Sequence, residues 1–158
     1  MDNTERAWEF FERAVERQMA GDFEVAIELY TQSIDAKPTA EAFTYRGWTH
    51  SYMGRVDLAI DDCKRAIEVD PEFGNPYNDI GAYLIELDRH NEAVPWLEKA
   101  IAAPRYDERQ FPWANLARIH EAAGRLTQAL RHYRRALEVS PGYLPALIGA
   151  KRMLGRLN

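Results

Sequence analysis

The side chains in this sequence that could act as nucleophiles, bases or metal ligands are one cysteine, Cys63, four histidines, His50, His90, His120 and His132, and paired acids such as Asp61 and Asp62. A cysteine nucleophile needs a base beside it, and a metal site needs ligands at short, repeated spacing. No two histidines stand four residues apart, no glycine-rich phosphate loop occurs, and adjacent acids diverge on a helix. No enzyme activity, metal or cofactor is expected. The chemistry within reach is non-covalent recognition, by aromatic rings that bury area at low rotamer cost and by carboxamides that both donate and accept.

The chain has 158 residues, 46% of them hydrophobic and 28% charged, with a net charge of −5. That is the composition of an ordinary soluble domain. Strand-type alternation is absent, which leaves an all-α fold, and no apolar run approaches the roughly 18 residues needed to span a bilayer. The polar, acidic start Met-Asp-Asn-Thr-Glu-Arg is unlike a signal peptide, so a cytoplasmic location is expected, or a periplasmic one if a signal has been removed. A single cysteine forms no internal disulfide, and Cys63 reads as a small buried hydrophobe.

The elements that position these residues are repeated. With Gln110 as position 1, Trp113 falls at 4, Leu116 at 7, Ala117 at 8, Gly124 at 15, Ala129 at 20, Tyr133 at 24, Ala136 at 27 and Pro141 at 32. The same phase recurs upstream. Position 20 reads Ala26, Ala59, Ala93 and Ala129, at spacings of 33, 34 and 36. The inter-helix turn reads Gly21, Gly54, Asp88 and Gly124, and position 8 reads Ala14, Gly47, Gly81 and Ala117. Small residues at 8, 20 and 27 let helix backbones approach, bulky ones at 4 and 24 fill the gaps, and glycine at 15 takes a left-handed cap. Pro104 comes one place early and two extra residues follow, which marks 103 to 109 as a longer, irregular connection.

This pattern resembles the tetratricopeptide repeat family, whose unit of about 34 residues is a helix-turn-helix. The resemblance implies a right-handed α-α superhelix of four units, about 7–39, 40–73, 74–109 and 110–141, followed by a capping helix within 142–158. It implies a non-enzymatic module that binds a protein or peptide through the concave face, lined by positions 2, 5, 6, 9, 12 and 13 of each first helix.

Those positions differ along the chain. In a first helix of roughly 4 to 20, capped by Asn3 or Thr4, the apolar stripe Trp8, Phe11, Val15 and Met19 faces the groove, or alternatively packs into the second unit. The second unit adds Tyr45, Trp48 and Tyr52, giving an aromatic half. The third and fourth contribute Asn78, Asp79, Asn115 and Arg118; amides at such positions resemble those with which peptide-binding members hold a ligand backbone. The lysine and asparagine clamp by which members hold an acidic chain end is missing, so such a ligand is not expected. From Tyr77 to Pro141, including the longer link with Tyr106 and Glu108, the chain also resembles the bacterial repeat proteins that assist type IV pilus secretin assembly, for which the aromatic groove is the implied partner surface.

Residues 1–117 carry 12 basic and 23 acidic side chains and residues 118–158 carry 8 and 2, for −11 and +6. Ends of opposite sign can steer a charged partner or stack head to tail, and helix 1 offers a route to a homo-oligomer. Arg131, Arg134 and Arg135 have no interleaved stacking aromatic beyond Tyr133, itself a core position of the repeat, which argues against nucleic acid. Leu144, Leu147, Ile148, Met153 and Leu154 are expected to form the apolar face by which the last helix covers the end of the stack.

Overall fold

The computed structural model describes all 158 residues, in nine α-helices: α1 Asn3–Met19, α2 Phe23–Ala36, α3 Ala40–Tyr52, α4 Val56–Val69, α5 Asn75–Glu86, α6 His90–Ala102, α7 Gln110–Ala122, α8 Leu126–Val139 and α9 Leu144–Leu157. The fold is all-α, as expected. Consecutive helices pair into four hairpins, each packed mainly on its sequence neighbours, with α9 against α8. This is the linear contact pattern of a solenoid rather than a closed bundle.

The small-residue positions do the work assigned to them. Ala14, Ala26, Ala59, Ala93, Ala117 and Ala129 are fully buried, and Tyr30, Leu97 and Tyr133 fill the space between hairpins. At Gly81 the approach is closest: a Cβ there would fall inside the isopropyl group of Leu97. Cys63 is buried in the central cluster among Ala59, Ile60, Ile80 and Leu97.

All four turns end their first helix in one way. The third residue past the helix donates to a carbonyl five residues back, Asp22 to Arg17, Arg55 to His50, Arg89 to Leu84 and Arg125 to His120, at 2.8 to 2.9 Å. The residue before it must adopt positive φ. Gly21, Gly54 and Gly124 lie at φ +82°, +76° and +76°, but Asp88 lies at +58°. A Cβ there costs about 1 kcal/mol, partly offset by the greater unfolded-state freedom of glycine. Asp88→Gly is therefore expected to raise stability by about 0.5 kcal/mol and the midpoint of thermal unfolding, followed by circular dichroism, by about 1 to 2 °C. Gly54→Ala should move it the opposite way.

Two expectations are corrected. The first helix is capped by Asp2, not by Asn3 or Thr4: Asp2 Oδ1 accepts from Glu5 N at 2.8 Å, and Glu5 Oε2 accepts from Asp2 N at 3.0 Å. The reciprocal pair satisfies two amides that a cap one residue later would leave open. The last helix packs through Ala146, Gly149, Ala150 and Met153, with Gly149 against the Tyr133 ring, while Leu144, Leu147, Ile148 and Leu154 are exposed. Small residues win the contact because Tyr133 already fills the gap.

Candidate peptide-binding groove

The concave side is built from the first helix of each hairpin. Trp8 and Phe11 of α1 stand edge to face at 5.2 Å, Phe11 meets Tyr45 of α3 at 5.1 Å, and Tyr45 meets Trp48 at 5.2 Å. These four rings make a continuous string across the first two hairpins. Its anchoring is internal, because Phe11 and Val15 rest on the cluster of Ala14, Ala26, Leu29 and Tyr30. Its outer surface is open: Trp8 is 46% exposed, and Tyr45 and Trp48 are half-buried. The apolar stripe of α1 thus divides, with Phe11 and Val15 packed inward and Trp8 left accessible. Met19 is exposed at the far end of α1, and Tyr52 stacks on Phe23 at 5.7 Å, so neither joins the string.

The polar residues of the third and fourth hairpins are engaged with one another. Asn115 Nδ2 donates to Asn78 Oδ1 at 3.0 Å, and Arg118 donates to Asn115 Oδ1 at 3.1 Å. Asn78 is buried, Asn115 half-buried and Arg118 exposed. The chain of bonds thus runs outward from buried Asn78 to the exposed Arg118 guanidinium. Asp79 is buried below Trp48 and beside Asn78, and its Oδ2 has no hydrogen-bond partner. Burial is the main cause that pushes its carboxyl up to about 7, and Glu108 adds to the rise, against the pull of Trp48 and Asn78.

The irregular connection, residues 103–109, forms a lip on this groove. Arg109 donates to the carbonyls of Ile101, Ala103 and Tyr106, and so satisfies the chain where α6 has ended. Tyr106 is buried against Gly74. Arg105 N donates to Glu72 O and Gly74 N to Arg105 O, both at 3.1 Å, which ties the lip to the turn before α5. The Arg105 guanidinium lies 4.5 Å over Phe73 and pairs with Asp70 and Glu41. Between the lip and α3 lies a cleft of about 400 Å³ lined by Glu41, Tyr45, Trp48, Phe73, Asn75, Arg105, Tyr106, Asp107 and Glu108. Helical periodicity alone does not place Asp107 and Glu108 there; the two extra residues were the available signal.

A second cleft, of about 470 Å³, lies toward the other end, lined by Ile85, His90, Arg118, Glu121, Ala122, Arg152 and Arg156. Here Glu121 accepts from Arg152 at 2.7 and 2.9 Å and from the Tyr133 hydroxyl at 2.8 Å, and it titrates below the usual range because of Arg152. One end of the concave face is aromatic and acidic, the other basic. Elsewhere, the rings of His120 and His132 come within 4.7 Å, and burial, then His132 and Arg125, lowers the pKa of His120. His50 is lowered by burial also, although Asp62 opposes the effect.

Three models of the tetratricopeptide repeat match the chain, at residues 40–73, 77–103 and 111–143. The small glutamine-rich tetratricopeptide repeat-containing protein 2 of Mycosarcoma maydis is 37% identical over 83 residues, 52% of this chain and 24% of that protein. The chain spans about a quarter of the length of such curated relatives. Among solved structures, pilF of Pseudomonas aeruginosa superposes with a TM-score of 0.90 at 19% identity, covering 98% of this chain and 70% of that one. The first TPR of Spaghetti (RPAP3), bound to an HSP90 peptide, gives 0.68 at 19% identity, over 75% and 93%. Both likenesses are of fold. No helix is long and apolar enough to cross a membrane.

Proposed function

The chain belongs to the tetratricopeptide repeat family, and from that premise we propose that it is a non-enzymatic binding module that holds a segment of a partner protein in its concave groove. The observation that carries this reading is the open string Trp8, Phe11, Tyr45 and Trp48, anchored on buried alanines and continued by Asn115 and Arg118. Aromatic side chains held by a packed scaffold lose little freedom on binding, so the area they bury is converted efficiently into affinity. The Spaghetti (RPAP3) domain, with the same hairpin stack, has a peptide bound.

A pull-down from a bacterial lysate with the wild type and a Trp48→Ala/Asn115→Ala variant tests the groove. The variant is expected to lose bound proteins that the wild type retains. Identical sets from the two would count against this surface.

The exposure of Trp8 also supports a second reading, self-association through α1. It requires a sedimentation coefficient that rises with concentration and that Trp8→Ala holds constant; a wild type that stays monomeric throughout removes it.

A further inference from the structure

We propose that the aromatic, acidic half of the groove receives a lysine or arginine side chain of the bound segment, its charge set beside Asp107 and Glu108 and its stem along Tyr45 and Trp48. The inference rests on the groove reading and adds the chemistry of the occupant.

Three observations converge on it. The cleft between α3 and the lip is walled by the faces of Tyr45 and Trp48 and by Glu41, Asp107 and Glu108. Its one cation, Arg105, is already committed to Asp70 and Glu41 and stacked on Phe73. Asp107 and Glu108 are exposed on the lip and make no ion pair.

The carboxylates act on one place. Tyr45, which shares the cleft with Glu41 and Glu108, titrates above its ordinary value through burial first, and then through Glu108, Glu41 and Asp79. An aromatic face attracts a cation through its quadrupole, and removal from water strengthens the attraction. Asp107 and Glu108, exposed and without an ion-pair partner, leave the empty cleft with unbalanced negative charge. An incoming ammonium or guanidinium supplies the missing partner, and the long aliphatic stem of lysine or arginine covers ring surface as the head reaches the acids. An acidic segment would instead set like charges together at this end.

The test uses the whole chain, labelled with 15N, and three capped nonapeptides of alanine and leucine that carry two lysines, two norleucines or two glutamates. Binding is followed by fluorescence anisotropy and by the Trp48 indole N–H resonance. The lysine peptide is expected to bind about tenfold more tightly than the norleucine peptide and to move the Trp48 resonance. Asp107→Asn and Glu108→Gln should each weaken it about fivefold without changing norleucine binding; both residues lie on the exposed lip, outside the core. Equal affinities for the lysine and norleucine peptides, both moving Trp48, would overturn the cationic occupant and leave the groove standing. A Trp48 resonance that moves with no peptide would overturn both, and tighter binding of the glutamate peptide would overturn the charge assignment.

Discussion

Asp62→Ala is expected to destabilise the protein by about 3 to 5 kcal/mol, because it strands a buried guanidinium. Arg46 of α3 and Asp62 of α4 form a forked pair, Nε to Oδ2 and a terminal nitrogen to Oδ1, both at 2.8 Å. Their side chains are 13% and 6% exposed. Without Asp62, Arg46 keeps only its 3.2 Å bond to Thr31 Oγ1 and its place 5.5 Å over Phe43. The desolvation of the charge then goes uncompensated. The double variant Arg46→Met/Asp62→Leu removes both charges and fills the space, so it should lie within about 1 kcal/mol of the wild type. Urea unfolding of the three proteins separates the outcomes; a single variant as stable as the wild type would show that water reaches Arg46.

The second large effect has a pH signature. Asp79 is held up to about 7 in the folded chain, against an ordinary carboxyl value of 3.8, chiefly by burial. The groups around it are Trp48, Asn78, Glu108, Tyr45, Tyr83, Tyr106 and Cys63. Glu108 is the charged one among them. A raised carboxyl pKa means that the folded state binds the proton more tightly than the unfolded state. Stability from this group is therefore present below about pH 4 and falls as pH rises toward about 7. Asp79→Asn removes that loss, and its advantage over the wild type should grow between pH 4 and pH 8 by about 2 to 4 kcal/mol. Thermal unfolding across that range reads the difference directly; parallel curves would place the Asp79 proton elsewhere.

The repeat was legible because its constraints are local and recur. Ala26, Ala59, Ala93 and Ala129 must each admit a neighbouring backbone, and Gly21, Gly54 and Gly124 must each take positive φ, so position alone identifies them. Asp88 fits the same turn because aspartate tolerates the left-handed region better than most residues. The site was only partly legible. Periodicity placed Tyr45 and Trp48 on the concave face, but could not show that Phe11 would turn inward while Trp8 stayed open, since that depends on the depth of the gap over Ala14 and Ala26. Nor could it show Asn78 bonded to Asn115, a contact across 37 residues. The last helix misled for a related reason: its large side chains pointed to one packing face, and the ring of Tyr133 required small ones.

The lip has a consequence for how such a molecule can diversify. Arg109 gathers three carbonyls of its own neighbourhood, so the shape of residues 103–109 is set largely by contacts within the segment and with the adjoining turn. Lengthening or recharging this segment would alter one wall of the cleft beside Tyr45 and Trp48 while the hairpins on either side keep their spacing. The contour of the cleft and the pitch of the stack are thereby uncoupled, so one can change in evolution while the other is kept.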